Sequence, residues 1–298
     1  MSSEILSSFS LDCSCRGFSS RTVDNYVSCI RYFLELHSID SDYDDLKKFL
    51  VHIRDEKKYS ASTCNGYFSS LNTFYDYLVF EGKIDKNLVP SFRKRYMRTY
   101  KKFYESESRK LISIGDMALL VDEPDELVYR TIILFLAKTG LRRNELITLD
   151  REDLDLDGLT VYLKPTAKRS NRTVFFDIET KAFLEAYLSE RSGNEKALFV
   201  GLQNGRRINR NVIYNVITRS ALKIGLHVPG GHLDQKFTTH CTRHWFTTWL
   251  RRAGMERNFI KKLRGDSLGE SIDRYDHIEL DELKASYLRY IPQLGVKP

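Results

Sequence analysis

An eight-residue stretch near the middle of the chain carries the pattern on which the fold and the chemistry depend: Thr139-Gly140-Leu141-Arg142-Arg143-Asn144-Glu145-Leu146. The residues before it, 127–137, are mostly apolar and predict a helix, which the Thr-Gly pair would end. Glu145 lies three residues, about one helical turn, beyond Arg142. The stretch therefore predicts a helix that ends at a glycine turn, and it places an arginine and a carboxylate directly after that turn.

Two further stretches in the C-terminal half carry basic residues and a tyrosine. One reads His240-Cys241-Thr242-Arg243-His244; the other reads Leu263-Arg264-Gly265-Asp266 and runs on to Tyr275-Asp276-His277. His240 and Arg243 form an i, i+3 pair, so both can point at one phosphate from one helix face. An arginine fork binds two phosphate oxygens, and a tyrosine can form a covalent bond to phosphorus. The stretches therefore offer a nucleophile and cations for cleaving a phosphodiester without a metal.

The order and spacing of the three stretches resemble the tyrosine recombinase, or phage integrase, family. Thr-Gly-Leu-Arg-x-x-Glu-Leu is similar to the first arginine box of that family, and His-x-x-Arg-His is similar to the second. The intervals of 23 residues from Arg243 to Asp266 and of 9 residues from Asp266 to Tyr275 are also those of the family. The resemblance covers residues 139–277 and implies DNA strand cleavage through a 3′-phosphotyrosyl intermediate.

The resemblance implies a role for each matching residue. Tyr275 is expected to be the nucleophile, while Arg142 and Arg243 clamp the scissile phosphate. His240 is expected to assist by hydrogen bonding or proton transfer. The expected supporting residues are Glu145 and His244.

The resemblance places the catalytic lysine on a hairpin between two strands of the catalytic domain. Residues 159–163 and 173–176 are rich in β-branched and apolar residues, which predicts two strands. Lys168 lies in the turn between them, four residues before Arg172-Thr-Val, and is favoured as the acid that protonates the 5′ leaving oxygen. Lys164, on the incoming strand, is the rival candidate.

Asp266 departs from the family pattern, in which a histidine or tryptophan donates a hydrogen bond to the phosphate. An ionised aspartate cannot donate and would repel a phosphate at close range. Our preferred hypothesis is that Asp266 orients Arg142, His240 or Tyr275. The alternatives are that it accepts the proton of Tyr275 or that the chain is an inactive relative.

Length and periodicity indicate two domains in this chain of 298 residues. Apolar stripes at helical spacing in the first third predict an all-α domain, residues 1–92, which the resemblance implies to be a core-binding domain of the SAM-like type. Residues 93–104 are predicted to be a basic linker. The remainder, residues 105–298, is predicted to be a mixed α+β catalytic domain, mainly helical with a small antiparallel sheet.

The charge pattern is compatible with a nucleic-acid partner. The net charge is +7, and residues 89–110 hold eight Lys or Arg against two Asp or Glu. The resemblance implies double-stranded DNA as the partner, held in a clamp, and a tetramer on two DNA sites formed from a protein that is monomeric in solution. The predicted DNA contacts are Arg93, Lys94, Arg95, Lys101, Lys102, Arg206, Arg207, Arg210 and Arg219.

Several classes of protein are not favoured by the sequence. It has no apolar run long enough for a membrane span and no secretory signal, so we expect a cytoplasmic, nucleoid-associated protein, or one in the host cell if a mobile element encodes it. The five scattered cysteines suggest reduced thiols. No metal or other cofactor is expected.

Two functional alternatives stay open at this point. One is a nicking-closing enzyme of the type IB topoisomerase kind, which uses similar chemistry; the other is a DNA-binding relative without catalysis. The segment 280–291 predicts a final helix, which docks either on a neighbouring protomer or on its own domain.

Overall fold

The computed structural model describes residues 2–97, 110–165, 172–266 and 278–298, with side chains from Glu4 onward. The chain divides into two compact units, residues 1–106 and 107–298. The finer predicted limits at residues 92 and 105 stay predictions, because most of the predicted linker is not described. Four residues with predicted roles lie outside the described residues: Lys101, Lys102, Lys168 and Tyr275.

The first unit is helical, as predicted. Its helices are α1 (Ser2–Cys15), α2 (Ser20–Leu34), α3 (Tyr43–Val51), α4 (Ala61–Phe80) and α5 (Val89–Phe92), with π-helical turns at His52–Glu56 and Arg93–Met97. The acidic stretch before α3 caps it, since Asp42 accepts hydrogen bonds from the backbone N–H groups of Asp44 at 2.8 Å and Asp45 at 3.0 Å. Gly82, at φ 65°, follows the end of α4.

Aromatic side chains fill the core of this unit. Phe33 and Phe49 meet edge to face at 4.9 Å between ring centroids, and Phe68 stacks on Phe92 at 5.1 Å. All four rings are fully or almost fully buried. Their burial stabilises the bundle through apolar area removed from water.

The second unit combines eight helices among its described residues with one small sheet. The helices are α6 (Ile114–Asp122), α7 (Leu127–Thr139), α8 (Arg143–Thr148), α9 (Ile178–Glu190), α10 (Arg210–Lys223), α11 (Thr239–Ala253), α12 (Arg257–Arg264) and α13 (Leu280–Tyr290). Helix α7 is apolar around almost its whole circumference and is buried from Thr131 to Thr139. A helix of this kind is expected at the centre of a domain, and α9 and α11 pack against it.

The sheet of this unit has three antiparallel strands in the order β1-β2-β3. They are β1 (Leu154–Asp155), β2 (Thr160–Leu163) and β3 (Arg172–Phe175). The two predicted strands are confirmed as β2 and β3, with Thr160 opposite Phe175 and Leu163 opposite Arg172. Strand β1 is not predicted by the sequence, because two residues are too few for a period-two pattern to be visible.

The last helix, α13, packs on its own unit in this chain. Leu283 and Tyr287 are buried in a cluster that includes Phe175 and Phe246. The Tyr287 hydroxyl also donates a hydrogen bond to the backbone carbonyl of Lys138 at 3.0 Å. Of the two alternatives left open by the sequence, the described residues show docking within the domain.

A buried ion network holds the residues after α13. Lys138 is fully buried, and its ammonium group lies 2.6 Å from carboxylate oxygens of both Asp177 and Glu179. It also donates to the carbonyl of Pro292 at 2.7 Å. Glu179 in turn accepts the backbone N–H of Val296 at 2.9 Å. The C-terminal segment therefore completes the solvation of buried charges, which without such partners would be costly.

Candidate active site

The first predicted box begins with a turn that only glycine can satisfy. Gly140 ends α7 at φ 62°, and a β-carbon built there would overlap the ring of Phe246 on α11. The missing side chain lets the helix of the second box lie directly against the turn of the first. Arg142 and Arg243, 101 positions apart in the sequence, are brought to one place by this contact.

Glu145 holds Arg142 at two points. Its carboxylate accepts the backbone N–H of Arg142 at 2.7 Å and the Nη1 of the same residue at 3.0 Å. The carboxylate is buried, which alone would raise its pKa, but hydrogen bonds and charge from Arg172 and Arg142 outweigh burial, and the pKa of Glu145 is lowered. Glu145 is therefore an anion at neutral pH and fixes both the backbone and the guanidinium of Arg142.

Arg243 is held mainly by backbone carbonyls. Its Nη1 donates to the carbonyl of Gly140 at 2.6 Å, and its Nη2 donates to the carbonyl of Arg264 at 2.6 Å. Its side chain is only 8% exposed. Burial, together with the positive charges of Arg142 and Arg264, lowers the pKa of Arg243 to about 10, so it stays protonated at neutral pH.

Asp266 lies among three arginines. It follows Gly265, which ends α12 at φ 62° and turns the chain toward the site. Its Oδ1 is 3.2 Å from Arg243 Nη2 and 3.5 Å from Arg142 Nη2. Its Oδ2 is 2.9 Å from Arg264 Nε, at ion-pair distance but without hydrogen-bond geometry. One oxygen of Asp266 therefore bridges the two arginines that the sequence singled out.

His240, Arg142 and Arg243 line one open cleft of about 740 Å³. His240 is exposed at the start of α11, one helical turn before Arg243, while His244 on the same helix is half-buried. Side chains of α8 and α10 also line the cleft; they are Arg143, Asn144, Ile147, Thr148, Arg210 and Tyr214.

Comparison with known families settles what kind of protein carries this cleft. The sequence model of the phage integrase family matches residues 101–281, more than half of the chain. The chain belongs to the phage integrase family. A second model, the N-terminal SAM-like domain of phage integrases, matches residues 5–81. The predicted family and the predicted fold class are confirmed.

Similar proteins span almost the whole of this phage integrase. It is 27% identical over 301 residues to the tyrosine recombinase XerC of Bacillus licheniformis, with 93% of this chain and 92% of that protein covered. It is 28% identical over 305 residues to the tyrosine recombinase XerD of Oceanobacillus iheyensis, with 93% and 94% covered. The Tn1549 transposon integrase, solved in complex with transposon right end DNA, shares its fold with a TM-score of 0.70, 21% identity, and coverage of 96% and 98%.

Lys164, the rival for the role of catalytic lysine in this integrase, is bound by an acidic group of side chains. Its ammonium nitrogen lies 2.5 Å from Asp150, 3.2 Å from Asp153 and 3.6 Å from Glu152. The hydrogen bond to Asp150 is the main reason why the pKa of Lys164 is raised. A raised pKa makes an ammonium a poorer proton donor.

The predicted DNA contacts of the integrase fall into two groups. Exposed positions are held by Arg206 and Arg219, and Arg210 lines the cleft. Arg207 instead turns into the protein, where it donates to the carbonyls of Ile147 at 2.7 Å and Leu149 at 2.9 Å and pairs with Asp150. Both of its terminal nitrogens are engaged inside the protein, so we leave Arg207 out of the proposed interface.

The other predicted contacts belong to the first unit, where Lys94 and Arg95 are exposed and Arg93 is half-buried in the π-helical turn after α5.

The described residues contain neither a membrane-spanning helix nor a metal-binding group of side chains. No helix there is long and apolar enough to cross a bilayer. Within those same ranges, no group of three or more His, Cys, Asp or Glu side chains is arranged to hold a metal ion.

Arg172 is a site residue for which the sequence predicts no role. It appears there only as part of the pattern that points to Lys168. In the structure its guanidinium forms two bonds to Glu145, at 2.8 Å and 3.0 Å. The sequence feature that could have revealed Arg172 is its place in an apolar strand, because a charged side chain there needs a buried partner of opposite charge.

Proposed function

We propose that this chain is a site-specific tyrosine recombinase that cleaves and rejoins double-stranded DNA in an integration, excision or inversion reaction. The observation that carries the proposal is the convergence of Arg142, Arg243 and His240 on one open cleft. Membership of the phage integrase family supports it, as do relatives named as tyrosine recombinases and a relative solved with DNA.

Arg142 and Arg243 would form the phosphate clamp. Their Nη2 atoms share a single oxygen of Asp266, at 3.5 Å and 3.2 Å, so a phosphate oxygen at the same place could meet both. Each arginine is already held by other groups, Arg142 by Glu145 and Arg243 by backbone carbonyls. Such preorganised donors stabilise charge that develops on the phosphate without reorganisation during the reaction.

The proposed chemistry is one in-line transfer at phosphorus and its reversal. The oxygen of Tyr275 attacks the scissile phosphorus as the tyrosine passes its proton to His240 or to water, a bond from phosphorus to the Tyr275 oxygen forms, and the bond to the 5′ oxygen breaks. Lys168 gives that 5′ oxygen a proton, and His240 hydrogen-bonds the phosphate or moves a proton. A 5′ hydroxyl from another strand then attacks the phosphotyrosine, which restores a phosphodiester and frees Tyr275.

Lys168 remains our candidate for the acid because of what holds its rival. Lys164 lies against Asp150, Asp153 and Glu152, and its raised pKa disfavours proton release. Removing Lys164 from the anionic group that it neutralises would also be costly.

Asp266 would act as an orienting residue. Its ion pairs with Arg142, Arg243 and Arg264 support the preferred hypothesis over that of a proton acceptor for Tyr275. A carboxylate also competes with phosphate for the same guanidinium groups. We therefore propose that Asp266 keeps the two clamp arginines together before DNA binds and withdraws from their shared edge when the phosphate enters.

The assembly and the interface extend the same proposal. Arg206, Arg210 and Arg219 in the second unit, and Arg93, Lys94, Arg95, Lys101 and Lys102 in and beside the predicted linker, would contact DNA phosphates. Four protomers, monomeric in solution, would assemble on two sites. The protein would act where the DNA lies, in the nucleoid of its own cell or in a host cell.

Capture of the covalent intermediate tests the proposal and selects the DNA site in the same experiment. Purified protein is incubated with duplexes that have a randomised central region and a nick in one strand, so that cleavage releases a short fragment and traps the adduct. Protein-linked DNA is recovered under denaturing conditions and sequenced. We expect one enriched sequence, hereafter the selected duplex, and no adduct with Tyr275→Phe.

The alternatives give different results in this test. A nicking-closing enzyme would relax a supercoiled plasmid without the selected sequence as fast as one that carries it. A relative without catalysis would bind duplex DNA but form no adduct. Either result would overturn the proposal.

A further inference from the structure

Arg172 is an almost buried arginine that joins three separate parts of the candidate site. Its side chain is 8% exposed. Its Nη1 and Nη2 donate to the two carboxylate oxygens of Glu145 at 2.8 Å and 3.0 Å. Its Nε donates to the backbone carbonyl of Leu263 at 2.7 Å. All five N–H donors belong to one rigid plane, so these contacts fix three chain segments relative to one another.

The first joined part is the support of Arg142. Glu145 is 8% exposed and must hold a negative charge to accept the backbone N–H and the Nη1 of Arg142. Arg142 itself is 37% exposed and would be screened by water and by an incoming phosphate. Arg172 is the buried cation that neutralises Glu145 whether or not Arg142 is bound to DNA.

The second joined part is the end of α12. The carbonyl of Leu263 is held by Arg172, and the next carbonyl, that of Arg264, accepts from Arg142 at 3.4 Å and from Arg243 at 2.6 Å. Asp266 follows two residues later. A displacement of this helix end would therefore move an acceptor that both clamp arginines share.

The third joined part is the strand β3. Arg172 is its first residue and pairs with Leu163 in register. Lys168, the candidate acid, lies four positions earlier in the sequence. The place of the strand relative to the two arginines is fixed through the same guanidinium.

We propose that Arg172 is a positioning residue that sets the clamp arginines and the start of β3 in register with one another. This inference rests on the proposed function, because Arg142 and Arg243 act as a phosphate clamp only if the chain cleaves DNA. Arg172 does not touch the phosphate in this proposal. It acts through Glu145 on Arg142 and through the end of α12 on Arg243.

The test compares Arg172→Met, Arg172→Lys and the wild type in adduct formation on the selected duplex. Methionine removes both the positive charge and the planar guanidinium group. Lysine keeps the charge but cannot bond both Glu145 oxygens and the Leu263 carbonyl together. We expect the cleavage rate of Arg172→Met to fall by about a hundredfold and that of Arg172→Lys by about tenfold. Noncovalent affinity for the duplex should change by less than about threefold in both variants.

The pH profile separates positioning from a general loss of packing. Without Arg172, burial would raise the pKa of Glu145, and protonated Glu145 would release Arg142. The rate of Arg172→Met should therefore fall more steeply than that of the wild type as the pH is lowered from about 8 to about 6, and Arg172→Lys should not show this added fall. Millimolar guanidinium ion should restore part of the activity of Arg172→Met.

Arg191→Met is the matched control. Arg191 is a half-buried arginine of the same unit, and it donates to backbone carbonyls of Glu195, Ala197 and Leu198 but to no residue of the cleft. It should lose folding stability without a change in pH profile and without rescue by guanidinium. If Arg172→Met has the rate and pH profile of the wild type, or behaves as Arg191→Met does, the inference is overturned. A wild-type protein that forms no adduct overturns the proposed function and this inference together.

Discussion

Asp266 Oδ1 lies 3.2 Å from Nη2 of Arg243, inside the group of cations where a DNA phosphate is expected to bind. The same oxygen lies 3.5 Å from a second arginine, Arg142. A carboxylate thus occupies the shared edge of both guanidinium groups. Because two or more close cations repel one another, the carboxylate stabilises their approach.

We expect Asp266→Asn to separate binding from cleavage. Asparagine has the same shape but no charge, so the arginines lose an orienting anion while the phosphate loses a competitor. Cleavage of the selected duplex should slow by about tenfold, with equal or tighter noncovalent binding. Single-turnover adduct formation and fluorescence anisotropy measure the two quantities. Faster cleavage would mean that Asp266 only obstructs the site.

Asp266→His, which introduces the residue usual in the family, extends the test. A large gain in the cleavage rate would show that aspartate is merely tolerated.

Arg243→Lys should be nearly inactive although it keeps its charge. A lysine cannot reach the carbonyls of Gly140 and Arg264 and a phosphate together, and it offers no fork. We expect a loss of about a thousandfold in the cleavage rate, with folding stability within about 2 kcal/mol of the wild type. Single-turnover cleavage and denaturant unfolding measure the two quantities. A loss below about tenfold would show that charge alone suffices.

Gly140→Ala tests the contact that brings the two boxes together. Alanine would be strained at φ 62° and its β-carbon would overlap Phe246. Gly205→Ala is the matched control, because Gly205 also has φ 62° but nothing lies within 4 Å of its β-carbon position. We expect a cost of about 1 kcal/mol for the control and about 3 kcal/mol or more for Gly140→Ala in the free energy of unfolding. Equal costs would remove the packing argument.

Asp150 should make the stability of the second unit depend on acid pH. Burial acts to raise its pKa, but hydrogen bonds from Lys164 and Arg207 lower the pKa of Asp150 to about 2, below its ordinary 3.8. A lowered folded-state pKa contributes stability that is present above the unfolded-state pKa and is lost as the pH falls from about 4 to about 2, on the order of 2 kcal/mol. Urea unfolding over this range should show the loss in the wild type. Asp150→Asn, already less stable at neutral pH, should lack this part of the slope.

Lys138→Met should release the C-terminal segment. Without the ammonium group, Asp177 and Glu179 would be two buried carboxylates with no cation, at a cost of about 3–5 kcal/mol. The backbone contacts of Leu294 and Val296 to Glu179 would weaken with them. Limited proteolysis followed by mass spectrometry should detect cleavage after α13 in the variant before any other cut. Unchanged proteolysis would contradict the role of this network.

Part of this molecule could be predicted from sequence because its signals are local or periodic. The apolar stripes at helical spacing in the first third indicate buried helix faces, and Gly140 indicates a helix end. The spacing of Arg243 to Asp266 points to one site whatever path the chain takes between them. Such patterns need no information about which distant residues meet.

The remainder depends on contacts between segments that are distant in sequence. No local pattern shows that Arg172 meets Glu145 and Leu263, or that Arg207 turns inward to Asp150 and is unsuited to DNA. Asp266 is recognisable as a departure, but its partners depend on how α12 packs against α11. Partner choice among many arginines and carboxylates is set by three-dimensional packing, which a single sequence does not specify.

The carbonyl of Arg264 offers an opportunity for engineering. It orients both clamp arginines through the peptide backbone, so the side chain at position 264 can be exchanged without removing that acceptor. Substitutions there would adjust the electrostatic potential around Asp266 in small steps while the helix end keeps its geometry. A graded series at this one position would tune how readily the enzyme commits to a strand break, with its recognition surface left as it is.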